Sequence, residues 1–390
     1  MKKKQFLITL ILLIIATITI VTIIKNLYKN LLLSSPADQS SSYTYAIAWG
    51  LPGNYNDDFI CQIDLKNDQI IKKIKLPLLY ATLSLSPQGK LILTRPFRDA
   101  GIVGKSVGIL NPENDAFKRL FKTSGSIPMD VMPFENKLIV PIQGGGIKMR
   151  PLHNTSGLEF YHKTLLGYSL QKKLIFQKDQ NFISTCYKLT PDKKHLFAIT
   201  YALVPGENQC AGILYKINPQ TAKIIASKDT ADLFGTSYGL AATDTKIYIS
   251  GLSDSPGPKR KPGEYVFVFD RDSLEYITKI KVAQYPQELQ YVAHLNRLYV
   301  EHRNISPQQI EVIDCTTDKI ITKIGSIHNS IAFNYVGNDK IYVTSNGEKK
   351  SSELPQGLPP AIEVIDLKTN QVSKRITGNF GSIAVNFHLK

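Results

Sequence analysis

The sequence predicts an all-β, seven-bladed β-propeller of four-stranded blades behind an apolar leader, on three observations. First, "IEVIDCTTDKIITKI" (310–324) and "IEVIDLKTNQVSKRI" (362–376) are one phrase written twice, about fifty residues apart. A period of that size in strand-like sequence marks a propeller or another solenoid. Second, a companion phrase, "KIYVTSN" (340–346), also recurs along the chain. Third, the repeats begin on a second strand, "YTYAIAW" (43–49), and end on an orphan first strand, "GSIAVNFHLK" (381–390). The two ends are expected to complete one shared blade, a closure that removes the exposed sheet edge of an open stack.

In chain order, the leader comes first. Residues 1–29 read as a basic tip and an uncleaved transmembrane signal anchor: the run from Gln5 to Ile24 has no charge. At 1.5 Å per residue about twenty residues span the roughly 30 Å hydrocarbon core. Lys25 and Lys29 follow directly, where a cleaved signal would place small residues. Lys2, Lys3 and Lys4 precede the span, so the positive-inside bias puts the N-terminus in the cytoplasm and the rest of the chain outside it. The expectation is a single-pass protein of the cell membrane with membrane contact through residues 5–24. A Ser/Pro-rich linker at 30–42, containing "SSPADQSSS", leads to the repeats at 43–390.

Each repeat reads as four short strands. The second strands are expected at 43–49, 90–96, 137–143, 195–201, 246–252, 297–303 and 340–346, and the third at 59–64, 106–111, 165–169, 212–218, 265–270, 309–314 and 361–366. Alternation, β-branched and aromatic residues give the strands, and Gly, Asn, Asp and Pro the turns. Asp64, Asp270, Asp314 and Asp366 end third strands before a polar turn. A side-chain oxygen there accepts backbone N–H bonds and shapes the reversal, and Asn111 and Asn218 serve equally well.

"KIYVTSN…AIEVIDLKTNQVSKRI" resembles the repeat of the YVTN family of seven-bladed, lactonase-like propellers, over residues 43–390. The resemblance implies the fold, and it implies two kinds of activity: surface or periplasmic binding in some relatives, catalysis in others. The third unit departs from the pattern, with Ser169 in place of the Asp.

Charge frames the partner. Five of the 47 basic residues lie in the first thirty positions, which hold no acid, leaving a surplus of ten beyond them. A basic body outside the cytoplasm suits an anionic envelope polymer or an acidic protein; no nucleic-acid partner is expected. Long insertions are expected after second strands, at 97–105, 144–164, 202–211, 253–264 and 347–360. Three of them supply the candidate ligand-binding residues Arg98, Lys148, Arg150, Lys259, Arg260 and Lys261. Loops on a rigid scaffold are where recognition usually resides.

The catalytic alternative has its site at the mouth of the central channel, where the inner strands offer Asp130, Glu288 and His328. By resemblance to lactonase-like and lyase-like propellers, such groups hold a divalent ion as Lewis acid. Asp130 belongs to a blade nearly opposite the other two. The sequence itself indicates no cofactor: it has no C-x-x-C-H, no close Cys/His cluster and no G-x-S-x-G, and "QGGGIKMR" (143–150) lacks the Lys-Ser/Thr of a phosphate loop. Of the four cysteines, only Cys186 and Cys210 share a blade, which makes theirs the one disulfide to consider.

Overall fold

The computed structural model describes residues 43–377 apart from 49–58, 77–79, 81, 87, 100–101, 126, 143–156, 165–166, 177–180, 191–192, 204–209, 231, 236, 238, 254–260, 303–307, 328–329, 346 and 348–356. The leader, the linker and the orphan strand at 381–390 lie outside these residues. Among the described residues no helix is long and apolar enough to cross a membrane.

Seven antiparallel sheets follow one another along the chain. Blade 1 holds β1 (Tyr43–Ala48), β2 (Phe59–Asp64) and β3 (Gln69–Lys75). Blade 2 holds β4 (Thr82–Leu85), β5 (Leu91–Asp99), β6 (Ile102–Asn111) and β7 (Ala116–Lys122). Blade 3 holds β8 (Met132–Phe134), β9 (Lys137–Ile142), β10 (Gly157–Thr164) and β11 (Gly167–Ile175). Blade 4 holds β12 (Asn181–Leu189), β13 (Leu196–Leu203), β14 (Cys210–Asn218) and β15 (Lys223–Asp229). Blade 5 holds β16 (Leu240–Ala242), β17 (Lys246–Ser253), β18 (Pro262–Asp270) and β19 (Tyr276–Lys281). Blade 6 holds β20 (Pro286–Val292), β21 (Arg297–His302), β22 (Gln308–Asp314) and β23 (Lys319–Ile327). Blade 7 holds β24 (Ser330–Gly337), β25 (Lys340–Ser345), β26 (Ala361–Asp366) and β27 (Gln371–Thr377).

The second strands run apolar without alternation because both their faces are covered. In β25, Ile341 and Val343 pack toward blade 6, while Tyr342 between them packs toward blade 1. Every pair of consecutive blades shares one hydrophobic cluster, and the cluster of Ala46, Ile63, Tyr342 and Val364 joins blade 7 to blade 1. The ring is therefore closed by side-chain packing among the described residues.

Polar fasteners supplement this packing, and their spacing explains the repeat. The Asp-led turn places a residue in the left-handed region four positions later: Asp68 (φ 49°), Asp318 (φ 55°) and Asn370 (φ 53°). Asp and Asn tolerate that region best among residues with a Cβ. The Lys-x-Tyr of the preceding blade reaches this residue. Lys340 Nζ lies 2.7 Å from Asp68 and the Tyr342 hydroxyl donates to the same carboxylate; Lys246 and Tyr248 repeat the contact with Asp318 at 2.6 and 2.7 Å. Tyr299 reaches Asn370 at 3.5 Å.

A second fastener sits at the middle of the third strands of blades 3 to 6, over the segment arriving from the previous blade. In blade 3, Glu159 accepts from the Ser124 and Gly125 backbone N–H groups at 3.0 and 2.7 Å; in blade 6, Glu311 accepts from Ala283 N–H at 2.9 Å. In blades 4 and 5 the same position carries an aromatic ring, Tyr215 against Phe176 and Phe267 against Phe234. Glu311 is buried, which pulls its carboxyl upward, but hydrogen bonds from His302, Lys323 and Ala283 more than offset this and hold it at about 2.

Three expectations are corrected. The third strand of blade 3 is Gly157–Thr164, and 167–169 already opens its fourth strand. The chain reverses there between Thr164 and Gly167, so the Asp that marks the other units is missing. The stretch 97–105 is not a free loop: Asp99 pairs with Ile102 and Phe97 with Val103 in a long two-stranded ribbon. Cys186 and Cys210 lie on β12 and β14 with β13 between them, and they pair with Ile199 and Leu203, four residues apart. Two sheet spacings and four rises put their backbones about 16 Å apart, well beyond the roughly 7 Å limit of a disulfide. Cys61 and Cys315 are buried free thiols.

Candidate functional site: channel wall and ribbon face

Inner strands β4, β8, β12, β16, β20 and β24 form the wall of the channel, each at the edge of its sheet. On this wall the structure brings together Asp130, just before β8, and Glu288 of β20 through a residue the sequence reading missed, Lys188 of β12. Both carboxylates act electrostatically on the Lys188 ammonium, from blades 3 and 6 onto blade 4. Asp130 accepts from the Val131 N–H at 2.7 Å and from the Ser84 hydroxyl at 3.2 Å, and Tyr187 bonds to it as well. These groups keep some accessible surface because they face the channel, yet protein surrounds them on all sides.

Burial consequently dominates the protonation of this cluster. It pushes the Asp130 carboxyl up to about 6, against the lowering effects of Val131, Ser84, Tyr187 and Lys188. Burial also depresses Lys188, while Glu288 and Asp130 oppose that shift. An acid with a pKa near neutrality and water access is equipped to exchange protons. No signal in the repeat marks Lys188, since inner strands vary most between units.

The described residues do not fit the divalent ion that the resemblance implies. The basic Lys188 stands within electrostatic reach of both carboxylates, and among the described residues no three His, Cys, Asp or Glu side chains converge on one point. His328 lies outside the described residues.

The candidate binding residues lie on or beyond the connections after second strands. Three of these connections project as two-stranded ribbons past the outer strands of their blades, and those of blades 2 and 5 also pass the inner strand, whereas in blade 4 β12 runs alongside as far as Leu203. In blade 2, β5–β6 continues to the Asp99–Ile102 pair although β4 begins opposite Thr94; in blade 4, β13–β14 reaches Leu203–Cys210; in blade 5, β17–β18 reaches Ser253–Pro262 although β16 begins opposite Ile249. Arg98 is in the blade 2 ribbon, and Lys261 is exposed just before β18. Lys148, Arg150, Lys259 and Arg260 lie outside the described residues. Tyr43, where the chain joins the ring, pairs with Asp64 at the hairpin end of blade 1, the end opposite these ribbons.

The Asp turns are formed as expected. Asp314 accepts from the N–H groups of Thr316 and Thr317 at 2.9 Å each, and Asp366 from Lys368 and Thr369 at 2.8 and 3.0 Å. These backbone donors, Thr317 and Thr369 foremost, hold both carboxyls below the usual range.

The architecture recurs in solved structures. A protein of Bacteroides fragilis provisionally described as a 6-phosphogluconolactonase superposes with a TM-score of 0.59 at 14% identity, over 90% of this chain and 99% of that one. The chain is a seven-bladed propeller. A Bacteroides uniformis protein with the same provisional description gives 0.56 at 12% identity, over 83% of this chain and all of that one. The dihydro-heme d1 dehydrogenase NirN gives 0.55 at 10% identity, over 90% and 76%. At such identities the likeness shows the fold alone. No family model matches the chain, and no curated protein matches it by sequence. The YVTN resemblance therefore rests on the repeat residues themselves.

Proposed function

We propose that this protein is a membrane-anchored, extracytoplasmic binding or scaffold module that recognises an anionic envelope polymer or an acidic protein through its ribbon face. The observation that carries the reading is the projection of the second-to-third strand ribbons on the face opposite the point where the chain joins the ring. A closed ring presents such ribbons at little ordering cost, which is what a recognition surface needs. Arg98, Lys148, Arg150, Lys259, Arg260 and Lys261 would supply the charge. The uncharged Gln5–Ile24 run supports attachment to the membrane, with the propeller outside.

Affinity capture with residues 31–390 on the native envelope tests this. Charge reversal at Lys259, Arg260 and Lys261 is expected to weaken capture and its salt dependence, while reversal at Lys193 and Lys194, on the hairpin between β12 and β13, leaves both unchanged. Equal effects from the two sets would remove the ribbon-face assignment.

The second reading, a propeller enzyme acting at the channel mouth, is favoured by the Asp130 carboxyl poised near neutrality beside Lys188. Metal analysis of the purified protein and of its Glu288→Ala and His328→Ala variants separates its forms. A stoichiometric divalent ion lost in the variants would support metal-assisted chemistry despite Lys188, and a metal-free protein would remove that form.

A further inference from the structure

The outer strands of the seven blades, β3, β7, β11, β15, β19, β23 and β27, carry sixteen Lys and Arg residues and a single acid, Asp229. An exposed sheet edge is protected from unwanted pairing by charge of either sign. The whole chain has 47 basic and 32 acidic residues, so protection alone would have drawn several acids to these strands. The acids stand one strand inward instead. Glu159, Glu264, Glu311 and Glu363 of the third strands meet Lys173, Lys281, Lys323 and Arg375 at 3.7, 4.0, 2.8 and 3.2 Å.

With Lys72–Asp115 and Lys228–Glu275, six of the sixteen are engaged in ion pairs. Lys118, Arg119, Lys122, Lys223 and Lys319 are exposed and stand outside those pairs. The richest sector joins blades 1 and 2, where β3 and β7 carry six basic residues and no acid.

We infer that the rim of the ring is a binding belt for an extended polyanion, a flexible chain bearing phosphate or carboxylate groups at regular intervals, laid across the outer strands. The inference rests on the anionic-partner reading above and narrows it from acidic partners in general to a polymer. Curvature decides between partners. A flat anionic bilayer or a compact acidic protein touches one sector of a cylindrical rim, whereas the basic residues occupy every blade. A flexible chain follows that curve. Binding of this kind releases counterions, so its affinity falls steeply with salt, by roughly one power of salt concentration per anionic group neutralised.

The test uses the full chain in nanodiscs of neutral lipid, titrated with fluorescent polyphosphate, with fluorescent poly-glutamate and with phosphatidylglycerol vesicles, at low and moderate salt. A rim variant, Lys118→Gln/Arg119→Gln/Lys122→Gln, is compared with the ribbon-face reversal at Lys259, Arg260 and Lys261. The rim variant is expected to lose at least tenfold in affinity for one or both polymers, with a salt slope shallower by about two, while its melting temperature is unchanged. Whichever polymer is lost identifies the phosphate or carboxylate source. Unaltered polymer binding by the rim variant overturns the belt, as does loss confined to the vesicles, which would make the rim a lipid contact. If the protein binds neither polymer yet captures an acidic partner sensitive to the ribbon-face reversal, the belt fails and the binding-module reading survives.

Discussion

Replacing Asp68 by Ala removes the polar fastener at the seam between blade 7 and blade 1. The Asp68 carboxylate takes the Lys340 ammonium on both oxygens, at 2.8 and 2.7 Å, and also the Tyr342 hydroxyl, with side-chain exposures of 12% for Asp68 and 18% for Lys340. Without it, Lys340 keeps the Leu65 carbonyl at 2.9 Å, and the buried Tyr342 hydroxyl loses the carboxylate as acceptor. Breaking a buried pair from one side costs about 3–5 kcal/mol, and residual solvent access reduces that to roughly 2–4. An Ala at φ 49° adds about 1 kcal/mol. The expected loss is therefore about 3–5 kcal/mol, read as a shift in the chemical denaturation midpoint. Asp115→Ala is the matched control: Asp115 has φ 57° and pairs with Lys72, but its side chain is 49% exposed. Its expected cost is about 1–2 kcal/mol, from backbone strain and an exposed pair. Asp68→Asn should fall between the two, because Asn tolerates the backbone and still accepts from Tyr342, as Asn370 does from Tyr299. Equal midpoints for Asp68→Ala and Asp115→Ala would refute the claim that the buried seam pair matters.

Two further predictions follow from shifted carboxyls. Glu311→Gln should cost about 3 kcal/mol at pH 7, because the folded pKa of about 2 lies below the ordinary 4.5. That stability is present above pH 4.5 and lost as pH falls toward 2, so the gap between wild type and variant should close in denaturation curves taken from pH 5 to 2.5; a constant gap would show that Glu311 acts through packing. Asp130 has the opposite sign: its folded pKa of about 6 exceeds the ordinary 3.8, so its contribution is fully present below pH 3.8 and lost as pH rises through 6. The balance between wild type and Asp130→Asn should shift in the variant's favour by at most about 3 kcal/mol between pH 4 and 7, and a pH-independent difference would mean the carboxyl titrates normally.

Legibility followed how far each position is constrained by its neighbours. All seven second strands were readable, because each is apolar on both faces and all but the first follow a polar turn. Third strands were readable wherever Asp or Asn marked the following turn, and blade 3 failed because a tight reversal before Gly167 replaces that turn. The acids of the turn were understood correctly, yet the Lys-x-Tyr that reaches across to the next blade was not, since its partner is some seventy residues away for Tyr248 and 274 away for Tyr342. Glu159, Glu311 and Glu363 carry no sequence cue separating them from exposed strand acids. In the channel, Asp130 and Glu288 were picked out by position, whereas Lys188 was invisible because only the closed ring sets it between them. The basic rim was not legible for the same reason: its residues fall two or three to a blade and form one belt only in the ring.

The third-strand fasteners carry a direction in time. Each grips the segment delivered by the blade before it, across 34 residues for Gly125 and Glu159 and 28 for Ala283 and Glu311. These loops are short to close, and blades 3 and 6 can each capture the blade before as soon as they have been synthesised. The seam at Asp68 spans 272 residues and has no partner until blade 7 exists. These separations predict vectorial assembly, with the final step set by the search of the two distant ends. Until that step, blade 1 presents Ala46, Cys61 and Ile63 uncovered, which makes the interval before closure the period when the nascent protein is most open to aggregation.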